Sequence, residues 1–200
     1  MRRESHVRFC ESPGVQFPRA TRLVFVFARK EDAERVFDVL PKRFGKYGLT
    51  LHPDKTRLVP FRRPAKGGPG PGGKPGTFDM LGFTYYWGRS RRGIWIVKRR
   101  TAKDRFGRTL RRIRDWCRTH RHDAVREQHR ALWQKLNGHY GYFGVTHNYP
   151  ALARLRDEVR SIWYKWLSRR SQRGLTWAAM ARLTERYPLP RPRIVHPSIT

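Results

Sequence analysis

Leu132-Trp133-Gln134-Lys135-Leu136-Asn137-Gly138-His139-Tyr140-Gly141-Tyr142-Phe143-Gly144-Val145 reads as the end of a helix running into a glycine-punctuated aromatic turn. Gly138, Gly141 and Gly144 let the backbone turn tightly or approach another element closely. His139, Tyr140, Tyr142 and Phe143 set flat rings between them. Those rings can form the core of a helix–helix corner, present a stacking surface, or do both on opposite faces.

The flanks support a helical domain around that corner. On the far side, Asn148 can cap a helix with Pro150 in its first turn. Leu152, Leu155, Val159, Ile162, Trp163, Trp166 and Leu167 recur at helical spacing, the stripe of a core face rather than a cofactor box. Ser168–Gly174 is a basic link, and Thr176 caps a short helix ending at Arg186. The tail beyond Pro188 is extended, because its prolines forbid helix. On the near side, Thr101–Thr119 is predicted as a helix with Phe106, Leu110, Ile113, Trp116 and Cys117 inward. Asp123 is a good N-cap for the next helix, which carries Val125, Leu132 and Leu136.

Before Lys98-Arg99-Arg100 the pattern changes. Leu23-Val24-Phe25-Val26-Phe27 is a β-favouring run. Lys30-Glu31-Asp32 opens a helix with Ala33, Val36, Phe37, Leu40, Phe44 and Tyr47 on one face. Pro41 should kink it, and Gly48 should close it. A turn at His52–Lys55 leads to a strand from Thr56. Residues 64–76 are almost all Pro, Gly and Lys and are expected to form a mobile loop. Phe78–Trp87 and Gly93–Lys98 are expected to pair as a hairpin. Residues 1–18 show no period and are expected to be a poorly ordered lead-in. The fold class is therefore α+β. Strands and one helix occupy 19–100, an all-α domain occupies 101–187, and an extended Pro-rich tail occupies 188–200.

Charge narrows the function. The 200 residues hold 45 Lys and Arg against 15 Asp and Glu, a net charge of +30. Such an excess needs a polyanion, and nucleic acid is the first candidate. No apolar run is long enough to span a bilayer, so no membrane partner is expected. Met1-Arg2-Arg3-Glu4 has no apolar segment behind it, so no signal peptide is expected. Two lone cysteines make no disulfide framework, which suits the reducing cytoplasm. His120, His122 and His129 lack cysteine or carboxylate partners at zinc spacing, so neither a metal site nor a cofactor is expected. Arginine outweighs lysine on the predicted helix faces. Its planar fork bonds phosphate bidentately and stacks on bases.

Several ordered motifs resemble group II intron reverse transcriptase/maturases. Gly48-Leu49-Thr50-Leu51-His52-Pro53-Asp54-Lys55-Thr56 resembles the segment after their active-site hairpin. Phe78-Asp79-Met80-Leu81-Gly82-Phe83 resembles the segment closing their palm. Residues 105–170 resemble their maturase-specific domain (domain X, or thumb), with Asn137-Gly138-His139-Tyr140 and Tyr142-Phe143-Gly144-Val145 as the matching pieces. Arg169-Arg170-Ser171-Gln172, Leu175-Thr176-Trp177 and Pro190–Pro197 also match. The resemblance covers roughly 19–197 and implies the end of a reverse-transcriptase palm followed by domain X.

The family's Tyr-Ala-Asp-Asp signature would fall on Arg19-Ala20-Thr21-Arg22, so both aspartates are missing. Two-metal nucleotidyl transfer needs carboxylates, which threonine and arginine cannot replace. The third aspartate and the fingers would lie upstream, as in a truncated family member. The resemblance thus implies no catalytic residue here, and a maturase role instead. The partner would be group II intron RNA, whose active fold the protein stabilises. The candidate RNA-binding residues are Arg111, Arg112, Arg114, Arg169, Arg170 and Arg173 for phosphate, with His139, Tyr140 and Tyr142 for stacking or ribose contact. The alternatives are one part of a split RNA-directed DNA polymerase completed by an upstream reverse-transcriptase fragment, a general basic nucleic-acid binder, or a nonfunctional remnant.

Overall fold

The computed structural model describes residues 6–10, 23–52, 56–65, 75–172 and 174–197, the first stretch as backbone only. The chain is α+β and divides into two compact units that exchange chain. Unit 1 comprises residues up to Phe78 together with Tyr86–Val97, and unit 2 comprises Asp79–Tyr85 and everything from Lys98. Residues 79–85 therefore belong with the helices, not with the strands that precede them in sequence. From Lys98 onward the chain stays in unit 2.

In unit 1, strands β1 (His6–Cys10), β2 (Leu23–Phe27) and β3 (Arg57–Pro60) form an antiparallel sheet in the order β2-β1-β3. The register sets His6 opposite Phe27 and Pro60. Residues 6–10 were expected to lack structure, and the correction has a simple cause. His-Val-Arg-Phe-Cys alternates with period 2, but the run is too short to stand out beside breakers. Between β2 and β3 lies helix α1 (Lys30–Gly45), with Glu31 and Asp32 in its first turn as its dipole prefers. Pro41 sits inside it. Ala33 and Leu40 are buried, whereas Tyr47, counted on the same face, is exposed. The helix stops where Gly48 adopts φ 67° and bonds back to the Gly45 carbonyl, while Leu49 bonds to Phe44, a Schellman closure.

Aromatic packing holds the remainder of unit 1. The Phe61 ring meets Phe78 edge-on at 4.8 Å and stacks on Trp87 at 5.2 Å, and Trp95 Nε1 donates to the Ala65 carbonyl at 3.0 Å. In β2, Val26 is 67% exposed. The expected lead-in over 1–5 and 11–18, the Arg19–Arg22 stretch, residues 53–55 of the expected turn and residues 66–74 of the expected loop lie outside the described residues.

A second three-stranded sheet has the order β4 (Phe78–Met80), β5 (Phe83–Arg89), β6 (Trp95–Thr101). The single strand expected over Phe78–Trp87 is two strands. Leu81 and Gly82, at φ 51° and 80°, turn the chain in two residues. The expected hairpin between β5 and β6 is present, closed by Ser90 N–H to the Ile94 carbonyl at 2.8 Å.

Four helices complete unit 2: α2 (Lys103–Thr119), α3 (Val125–Phe143), α4 (Tyr149–Ser168) and α5 (Trp177–Arg186). Their core gathers Ile113, Cys117, Leu132, Leu136, Tyr140, Leu152, Leu155, Val159, Trp163, Met180 and Leu189. Burial pushes the Cys117 thiol up to about 12, so this sulfur packs as a small apolar group. One buried amide links three elements. Gln128 Oε1 accepts from Trp163 Nε1 at 2.9 Å, while its Nε2 donates to the Asp123 carbonyl at 2.9 Å. Asp123 thus supplies a carbonyl to this node, and the N-cap of α3 is Ala124.

Two expectations about the corner change. Helix α3 continues through Gly138 and Gly141 to Phe143, so the turn comes at Gly144. Asn148 precedes α4, but its side chain does not cap it. Instead Oδ1 accepts from the Thr101 N–H at 2.8 Å, and Nδ2 donates to Thr101 Oγ1 at 2.9 Å and to the Phe143 carbonyl at 2.8 Å. Three buried bonds to β6 and α3 outweigh one exposed cap. Thr176 does cap α5, accepting from Ala179 N–H at 3.2 Å.

Asn148→Asp keeps the size but loses the amide donor. The expected result is a loss of about 3 kcal/mol in urea unfolding at pH 7, because a buried carboxylate would face the Phe143 carbonyl with no donor between them. An unchanged midpoint would show that this node does not hold the corner.

Candidate nucleic-acid interface

Helix α2 carries the densest positive surface in unit 2. At 100° per residue its exposed arginines fall into two neighbouring stripes. Arg111, Arg114 and Arg118 make one, and Arg105, Arg108 and Arg112 make the other; all six are exposed. Asp104 lies 3.9 Å from Arg105 and 3.5 Å from Arg108. Arg111, Arg112 and Arg114 have no carboxylate within 4 Å among the described residues. They are held on a rigid helix whose other side is anchored by Ile113 and Cys117. Beside Arg105 and Arg108, which share Asp104, the guanidiniums of Arg111, Arg112 and Arg114 stand without a carboxylate partner among the described residues, as phosphate binding requires.

The cations after α4 are differently arranged. The Arg169 guanidinium lies 5.4 Å above the Trp166 ring, which holds its plane while leaving its edge donors free. Arg170 Nη2 reaches the His122 carbonyl at 3.4 Å. Arg173 lies outside the described residues.

The three rings proposed for stacking separate from one another. Tyr140 is fully buried, and its hydroxyl donates to the Pro190 carbonyl at 3.3 Å. It cannot stack on a base, and its assignment as a contact residue is corrected. Once α3 runs to Phe143, Leu132, Leu136 and Tyr140 fall on one inward stripe at i, i+4 and i+8. His139 is half-buried and stacks on Phe143 at 4.4 Å. Burial lowers its imidazole to about 4, so it is neutral at pH 7. Tyr142 remains 53% exposed, yet its hydroxyl donates to the Leu81 carbonyl at 2.8 Å and its ring stacks on Phe83 at 5.7 Å. The rings near the end of α3 therefore mainly seat residues 81–83, and no cation–π pair joins them to the candidate arginines among the described residues. Arg105, Arg108 and Arg118 join the α2 face. The helical period alone would have found them.

The histidines that invite a metal reading are otherwise engaged. His120 stacks on Trp116 at 4.6 Å, His122 Nε2 accepts from Arg121, and His129 Nε2 bonds to the Pro188 carbonyl. Among the described residues no three His, Cys, Asp or Glu side chains gather at a common point. Nor is any described helix long and apolar enough to cross a membrane. No protein-family model matches the chain, and no curated protein matches it.

The buried imidazole has a measurable consequence. Unfolded, His139 takes up a proton near pH 6.5, and folded only near pH 4. Between those values the unfolded chain binds more protons, so stability falls as pH drops through 6.5 toward 4. Burial, then Lys98 and Arg99, lower His147 in the same direction. Urea unfolding at pH 5 against pH 7.5 should show a loss of about 2 kcal/mol from His139. His139→Phe should shrink that loss and leave the smaller His147 contribution. An unchanged pH difference would show that His139 is solvated.

Proposed function

We propose that this chain binds structured RNA as a maturase-type protein and assists the folding and splicing of a group II intron, without polymerase chemistry of its own. The observation that carries this reading is the α2 face, where Arg111, Arg112 and Arg114 stand exposed with no carboxylate within ion-pair distance among the described residues. The net charge of +30 and the ordered motifs over 19–197 point the same way.

In this role the RNA supplies the reacting groups. Packing an intron into its active fold brings phosphate chains together, and their repulsion opposes it. A rigid helix bearing unneutralised guanidiniums lowers that cost by taking the place of mobile counterions. Arg111, Arg112 and Arg114 would meet phosphates on one surface, and Arg169 would add a contact from its fixed plane over Trp166. Arginine serves better than lysine here, because a fork can bridge two phosphate oxygens where chains approach. Shape selection would come from the fixed spacing of these contacts along A-form grooves and junctions.

The test compares binding of a folded group II intron RNA with a length-matched unrelated RNA across a salt titration. A preference that survives at high salt is expected. Replacing Arg111, Arg112 and Arg114 together by Gln should reduce the salt slope by roughly three and weaken binding at least about tenfold at low salt. Equal binding to both RNAs that collapses together as salt rises would reduce the protein to an electrostatic adhesive and defeat the maturase reading.

A further inference from the structure

The chain has seven tryptophans, and six of them have an internal partner. Trp87 stacks on Phe61, Trp95 lies under Arg89, and Trp116 stacks on His120. Trp163 bonds to Gln128, Trp166 lies under Arg169, and Trp177 stacks on Tyr164 at 3.9 Å. Trp133 differs. It is 47% exposed, and among the described residues its indole has no ring, cation or hydrogen-bond partner. Folding alone gives no reason for so large an apolar ring at an open position of α3.

Its neighbours on the helix suggest a reason. At 100° per residue, Arg126, Arg130, Trp133 and Asn137 lie within about 60° of one another, at i−7, i−3, i and i+4. Arg126 and Arg130 are exposed and have no carboxylate within 4 Å among the described residues. The Asn137 amide donates back to the Trp133 carbonyl at 3.0 Å, which leaves its Oδ1 available as an acceptor. The helix is stiff here, because Leu132 and Leu136 on either side of Trp133 are fully buried. The stripe thus sets a partly exposed indole, two cations and one amide acceptor in a row on a stiff helix.

We infer that Trp133 is a stacking platform for an unpaired RNA base, with Arg130 and Arg126 on the phosphates that flank it and the Asn137 Oδ1 facing the ribose or base edge. This rests on the RNA-binding reading above and deepens it, by naming single-stranded nucleotides as the ligand of this stripe. A base offers the flat face that the indole lacks, and its strand carries the negative charge that the arginines lack. A protein partner could also use a tryptophan beside arginines. The cationic stripe without paired acids favours the polyanion.

The experiment uses the full chain and two RNAs of equal length, a hairpin with a single-stranded loop and a fully paired duplex. Trp133→Ala, Trp133→Phe and Arg130→Gln are compared with the unaltered protein at two salt concentrations. Trp133→Ala should weaken binding of the looped hairpin roughly tenfold, change duplex binding less than about twofold and leave the salt slope unaltered. Trp133→Phe, which keeps a ring, should recover most of the affinity. Arg130→Gln should lower the salt slope by about one on the hairpin. Far-UV circular dichroism should be unchanged, since the indole has no ring, cation or hydrogen-bond partner among the described residues, and the Phe and Gln variants carry the test if it is not. If the unaltered protein binds both RNAs and Trp133→Ala binds the hairpin equally well, the platform is refuted while RNA binding stands. The stripe would then be open to a protein partner. If the unaltered protein binds neither RNA, both readings fall together.

Discussion

Three stretches of unit 2 meet at one backbone position, and the room there is enough only for glycine. At Gly144 a Cβ would strike the Tyr140 carbonyl and lie 2.7 Å from the Arg193 carbonyl. The Gly144 carbonyl accepts from both Val195 and His196, at 2.7 and 2.8 Å. The same turn delivers Asn148 to Thr101 and closes α3 against α4. The tail is thereby tied down along its length. Pro188 is bonded by His129, Pro190 by Tyr140, and His196 reaches the Gly141 carbonyl at 2.8 Å. This extended, proline-rich segment is held through two of its carbonyls, at Pro188 and Pro190, through the Val195 and His196 N–H groups, and through the His196 ring.

Much of this was legible in the sequence. The inward stripes of α2 and α4 follow the 3.6-residue period, and every residue of the α4 stripe is buried or packed against the core. The corner was placed one turn early because glycine was read as a helix breaker. Gly138 and Gly141 have open space where a Cβ would lie, so neither is required for fit, and each costs the helix only about 1 kcal/mol. Burial of Leu136 and Tyr140 outweighs that cost. The docking of residues 81–83 against α3 was not legible. It depends on Leu81 holding a left-handed conformation with its carbonyl bound by Tyr142, a contact across 61 residues that no local pattern announces. The arginine face was legible in composition, but the burial of Tyr140 removed a ring from the candidate site and the period added three arginines.

The core and the charge pull against each other. Unneutralised cations on one helix repel, and the repulsion lowers the stability of the compact state. The described ion pairs are few and exposed, and each contributes little. Stability must therefore come from the apolar cluster around Trp163 and Tyr140 and from its satisfied polar nodes at Gln128 and Asn148. A protein organised in this way gains when an anion occupies its surface, since binding relieves the repulsion that folding created.

The two units pass the chain between them three times, after Phe78, after Tyr85 and after Val97. A domain joined by one linker can be moved to a new gene context by a single recombination event. These units cannot. Any junction placed between residues 79 and 97 cuts through β4, β5 or β6 or their turns, and strands missing a ladder neighbour lose the bonds that define them. The units are thus bound to be inherited together, and change in one must remain compatible with the other through three shared strands.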